Sequence, residues 1–106
     1  MKYVNSGTGK HPLSEAVLVN DFIYSSGVRA VDMKTGKLLH KPDIEARVSC
    51  CLYNLKEILM KLGAPLTKAL YLRVYTRNLK YASAINEVIS SRFDKGKRPA
   101  ASIFEV

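Results

Sequence analysis

Several stretches of this sequence contain residue types that do chemistry when correctly spaced. Ser6-Gly7-Thr8-Gly9-Lys10 has the composition of a phosphate-cradling loop, but the full pattern needs a glycine five residues before Gly9, and Val4 stands there. His11 and His40 are far apart, with Pro or Lys nearby instead of a second ligand, so neither has zinc-site spacing and no metal is expected. Ser25-Ser26-Gly27 lacks the G-x-S-x-G frame of a hydrolase nucleophile, and no His or acid is placed to complete a triad. Strand-end serines donating hydrogen bonds are the simpler reading. Tyr71, Arg73 and Tyr75 put two rings beside a cation, which suits either base stacking in an RNA-binding module or a subunit interface, where Tyr and Arg are enriched. No Gly-aromatic RNA-recognition signature accompanies them, which favours the interface. Cys50 and Cys51 are adjacent in a helical stretch, where side chains diverge by about 100°, so they are read as unpaired thiols.

The elements that must hold these residues follow from apolar spacing. Glu15 to Val19 and Phe22 to Val28 are β-rich runs separated by Asn20-Asp21, the signature of an antiparallel hairpin. Asp32-Met33-Lys34-Thr35-Gly36 is turn chemistry, and Pro42-Asp43 opens a helix with Asp43 as its N-cap. From Ile44, apolar residues recur at Val48, Cys51, Leu52, Leu55, Ile58, Leu59 and Leu62, the 3.6-residue period of an amphipathic helix ended by Gly63. Lys68 to Thr76 alternates Leu70, Leu72 and Val74 with Tyr71, Arg73 and Tyr75, giving a strand with one aliphatic and one aromatic, cationic face. Leu79 to Phe93 returns to helical spacing, Asp94 to Pro99 breaks it, and Arg98 to Val106 is a last strand. The order ββαβαβ predicts an α+β sandwich, two helices covering one face of a mixed sheet. The opposite face then needs its own cover.

The chain has 106 residues, 47% hydrophobic and 25% charged, the scale and composition of a single globular domain spanning 1–106. So small a domain hides only about two-thirds of its unfolded surface, so oligomerisation is a natural supplement. Seventeen Lys and Arg against nine Asp and Glu give a net charge of +8, compatible with nucleic acid, anionic membranes or anionic metabolites. The cations are dispersed, with the densest group at Lys95, Lys97 and Arg98. No apolar run reaches the ~20 residues of a membrane span, and the first residues lack a signal-peptide core, so a cytoplasmic protein with no membrane partner is expected.

The motifs occur in a recognisable order. His11 to Leu38, then Tyr53-Asn54-Leu55-Lys56, the run Tyr71 to Val88 and Arg98 to Val106 resemble the RidA/YjgF family of reactive-intermediate deaminases. The specific features are Ser-Gly after the second strand, D-x-K-T-G in the turn, N-L-K in the first helix, Asn in the second and Pro-Ala before the last strand. The resemblance implies a chorismate-mutase-like fold, a homotrimer with sheets inward and helices outside, and ligand clefts between subunits. It implies hydrolysis of 2-imino acids to 2-keto acids and ammonia without metal or organic cofactor, since an iminium carbon is already electrophilic and needs only a positioned water and a carboxylate clamp.

Carried onto this chain, the resemblance marks Ser26, Gly27 and Asn86 as matching substrate-site positions, Leu13 where an aromatic residue is usual, and Ala101 where the family has its clamp arginine. Ile103 replaces a cysteine, leaving its backbone carbonyl as the holder of a catalytic water. The loss at Ala101 matters most, because removing one partner of a buried charge pair costs about 2–5 kcal/mol, roughly 30- to several-thousand-fold in binding. A deaminase that is weak or retargeted is therefore expected, with Arg98 and Arg29 as alternative cations. The other reading is a non-catalytic trimer that binds a small ligand or RNA, since some family members have been described as ribonucleases or translation inhibitors. Family chains usually continue into another strand, so either the sequence is cut short at Val106 or the protein lacks that strand and must cover the open edge.

Overall fold

The computed structural model describes residues 1–5, 12–40 and 43–106. Ser6-Gly7-Thr8-Gly9-Lys10, His11 and Pro42 lie outside them. Strands β1 (Lys2–Val4), β2 (Ala16–Val19) and β3 (Phe22–Ser25) form an antiparallel meander in the order β1-β2-β3. Helix α1 (Ile44–Met60) follows, then strand β4 (Tyr71–Thr76), helix α2 (Ala82–Ser90) and strand β5 (Ala100–Glu105), with β4 and β5 paired in parallel. Both antiparallel and parallel ladders are present with two helices, the α+β architecture that the periodicity predicts. β1 has no counterpart in the sequence reading: three residues are too few to show alternation, and tertiary pairing of Lys2 with Leu18 and Val4 with Ala16 creates the strand.

Local chemistry accounts for the boundaries. Asn20 turns the β2–β3 hairpin with φ 54, a conformation asparagine tolerates better than most residues. The Asp32 carboxylate accepts from the amides of Lys34 (2.8 Å) and Thr35 (3.3 Å), and Lys37 N–H donates to Thr35 Oγ1, so D-x-K-T-G folds on its own side chains. Gly36 takes the positive φ of 74 that completes the turn. Asp43 caps α1 by accepting from Ala46 N–H at 2.7 Å.

Helix α1 joins two clusters of buried side chains. Leu52 packs with Leu66, Ile85, Ile89 and Phe93 beneath the inward residues of β4 and β5, Leu72, Val74 and Ile103. About two turns on, Ile58 is 1% exposed and packs with Val4 and Ala16 of the meander, against Ile23, Val28 and Met33. Cys51 is half-buried and Cys50 similarly placed, and both are free thiols. Burial, and secondarily the neighbouring Cys50, pushes the Cys51 thiol up, partly offset by a backbone hydrogen bond, so it is a poor nucleophile at neutral pH.

Ile58→Ala leaves a cavity between the helix and the meander and is expected to cost about 2–5 kcal/mol. Asp43→Ala, which removes only a cap, is expected to cost about 1 kcal/mol. Urea unfolding of both variants checks the ranking.

Candidate functional site

The register of each ladder separates its two faces. In the meander, Ala16, Leu18 and Ile23 point to the helix side, so Tyr3, Val17, Val19, Phe22 and Tyr24 share the opposite face. In the parallel pair, Leu72 and Val74 face the helices with Ile103, whereas Tyr71, Arg73 and Tyr75 lie opposite with Ser102 and Phe104. The aromatic, cationic face expected of this strand is there. Its members are already arranged: Arg73 sits 5.6 Å from the centre of the Tyr71 ring, Tyr71 OH donates to Ser102 Oγ at 2.8 Å, and Tyr75 stacks on Phe104 at 5.5 Å. Tyr24 remains 65% exposed, Tyr75 60% and Phe22 55%. So much exposed aromatic surface on the helix-free side is what a partner's surface would cover.

The candidate ligand-binding residues sit on separate elements. Ser26 and Gly27 are exposed immediately after β3, with Ser26 N–H donating to the Glu15 carbonyl at 2.8 Å. A Cβ on Gly27 meets nothing within 4 Å, so space is open beside it. Asn86 is exposed on α2, away from the buried Ile85 and Ile89. Ala101 is exposed near the start of β5, in register with Leu72. Ile103, two residues on, lies on the same strand face but sends its side chain into the core beside Val74. Leu13 is 70% exposed ahead of β2. Within one subunit these residues are not joined by hydrogen bonds to one another among the described residues. Ala101 and Ile103 share a strand, Ser26 and Gly27 share a loop, Asn86 is on α2 and Leu13 precedes β2.

One residue that sequence reading used only as a motif fixes the loop. Asn54, from N-L-K, is buried and its amide donates to the carbonyls of Arg29 and Val31, both at 2.9 Å. That pair of bonds ties the segment after Gly27 to α1, and its signal in the sequence was a polar residue on an otherwise apolar helical stripe. A second overlooked residue is Glu15, 8% exposed, whose Oε1 has no hydrogen-bond partner among the described residues. A carboxylate opening an apolar strand run was its visible clue.

A small α+β sandwich with an open aromatic face and a pinned Ser-Gly loop is the YjgF-like class of protein. The chain belongs to the endoribonuclease L-PSP family, whose model matches residues 6–106, the group that includes the RidA, YjgF and RutC proteins. It is 35% identical over 95 residues to a RutC family protein of Pyrococcus abyssi, covering 90% of this chain and 73% of that one. It is 32% identical over 95 residues to the goat 2-iminobutanoate/2-iminopropanoate deaminase, covering 90% of this chain and 68% of the relative. A Thermotoga maritima protein provisionally called an endoribonuclease superposes with a TM-score of 0.87 at 31% identity, over 100% of this chain and 84% of that structure.

Asn54→Ala leaves the buried Val31 carbonyl and the part-buried Arg29 carbonyl without their donor and is expected to cost on the order of 2 kcal/mol. Hydrogen exchange should accelerate at the Val31 and Leu39 amides while the β4–β5 ladder keeps its protection.

Proposed function

We propose that this protein is a RidA-type imine hydrolase whose grip on substrate carboxylates is weakened by alanine at position 101. The observation that carries the reading is the match to the goat 2-iminobutanoate/2-iminopropanoate deaminase over 90% of this chain. In the proposed reaction, water adds to the C=N carbon of a 2-imino acid, and the resulting carbinolamine expels ammonia and leaves a 2-keto acid. The Ile103 backbone carbonyl orients the water. Ser26, Gly27 and Asn86 contact the substrate, and Leu13 supplies an apolar wall. The reaction consumes one water and releases one ammonia with no change of oxidation state, so it calls for no redox partner.

Three copies of the chain are proposed to pack their helix-free sheet faces around a common axis, assembling each cleft from neighbouring subunits. Separation of the candidate residues within one subunit supports this, as does the exposure of Phe22, Tyr24, Tyr75 and Phe104. Full burial of such a side chain from water is worth about 1.5–3 kcal/mol, and these rings, 43–65% exposed, have roughly half of that still to gain. The alternative, RNA contact, is supported by the family's endoribonuclease description, the +8 charge and the Arg73–Tyr71 pair. The two readings compete for the same face, because a trimer that buries Tyr71, Arg73 and Tyr75 removes them from any base.

Sedimentation equilibrium is expected to give a trimer, and Tyr75→Asp with Phe104→Asp is expected to shift it to monomer by placing charges in the interface. A stable native monomer of the unaltered chain would sink the shared-cleft reading.

Ala101→Arg restores a planar two-pronged partner for a carboxylate. Hydrolysis of 2-iminobutanoate generated by an amino-acid oxidase, followed through loss of semicarbazone formation, is expected to rise at least about 30-fold in kcat/KM. No gain in an intact trimer would show that clamp loss does not limit this protein.

A further inference from the structure

The densest cationic cluster in the sequence is Lys95, Lys97 and Arg98, of which only Arg98 enters the imine reading, as an alternative clamp cation. The fold sets two of its members opposite another element. The lead-in to β5, Lys97 to Pro99, forms one wall of an open cleft of about 440 Å3, and the lead-in to β4, Thr67 to Leu70, forms the other. The cleft is lined by Thr67, Lys68, Lys97 and Arg98 and by no acidic residue. No ion pair or hydrogen bond neutralises the side chains of these three cations among the described residues.

Both walls are held in place. Leu66 and Phe93 anchor them in the core, on the chain just before each wall. The Ala69 amide donates to the Leu66 carbonyl at 2.9 Å, and Lys97 N–H donates to the Asp94 carbonyl at 2.9 Å across the turn that Gly96 completes with φ 83. The Ala100 amide donates to the Leu70 carbonyl at 3.0 Å, which fixes one wall to the other. Three positive side chains that line one cleft repel one another, and a bound anion relieves that repulsion. A carboxylate supplies one negative charge, whereas a phosphate supplies nearly two and three acceptor oxygens. Arginine's fork matches two such oxygens, and a lysine adds a point charge. Leu70, 70% exposed, and Pro99 give the same cleft an apolar lining.

We propose that this cleft binds the phosphate group of a small organic phosphate, with Arg98 and Lys68 gripping it from opposite walls and Leu70 and Pro99 meeting its organic part. Apart from Arg98, an alternative clamp cation in the sequence reading, the site contains none of the residues assigned to imine hydrolysis, and Lys68 takes no part in that reaction.

The test is calorimetric titration of the full chain with adenosine 5′-monophosphate, inorganic pyrophosphate and a short single-stranded RNA. Saturable binding of the first two is expected, with amide chemical-shift changes at Lys68, Lys97 and Arg98. The pair Lys68→Ala and Arg98→Ala is expected to weaken it about 100-fold, roughly tenfold for each charge-assisted contact. The pair Lys34→Ala and Lys37→Ala makes the same change in net charge away from the cleft and is expected to leave binding unaltered. Equal weakening by both pairs would reduce the effect to diffuse charge and overturn the proposal. Binding of RNA alone, with both small phosphates silent at millimolar concentration, would assign the cations to a polynucleotide surface and overturn it equally.

Discussion

The constraint on which the rest of this structure depends is that one helix must satisfy two ladders that are not hydrogen-bonded to each other among the described residues. Leu52 belongs to the core under β4 and β5, Ile58 to the core under the meander, and Asn54 between them binds the loop that leaves β3. The apolar stripe gives adhesion without direction, since burial is proportional to area and indifferent to register. The amide of Asn54 adds direction, because its two bonds form only when the Arg29 and Val31 carbonyls stand at the correct height along the helix. A buried polar group of this kind gains little net energy when satisfied and loses much when not, and so specifies one arrangement.

Elements with strong local periodicity were legible in the sequence. The first helix, its Asp43 cap and the aliphatic and aromatic faces of β4 follow from residue spacing alone, because each is decided within a few turns or a few pleats. β1 was not legible, since its three residues form a strand only through β2. Ends were also less certain than centres. Lys68 was read into a strand and lies in the 310 turn Leu66–Lys68, and Leu79–Tyr81 forms another 310 turn ahead of α2. In both places a chain entering a packed layer tightens before its regular element begins.

The candidate site was legible only as a set of positions. Their order along the chain carries the family resemblance, and the family is shown by the match over residues 6–106. What spacing does not convey is that Ser26, Gly27, Asn86 and Ala101 are all exposed on different elements, or that Glu15 is buried with an oxygen that has no partner among the described residues. Those are consequences of tertiary packing. The cationic loop shows the same limit: Lys97 and Arg98 were visible as a charge cluster, but Lys68 joins them only because the parallel pairing of β4 and β5 sets their lead-in segments side by side.

The stack of Tyr75 on Phe104 has a temporal consequence. Its two rings come from strands separated by the whole of α2, and parallel strands pair only after such a crossover has closed. The meander, built from neighbouring segments, needs no such wait. The Phe22 and Tyr24 face is thus set by local pairing, whereas the ring stack depends on a crossover of more than twenty residues.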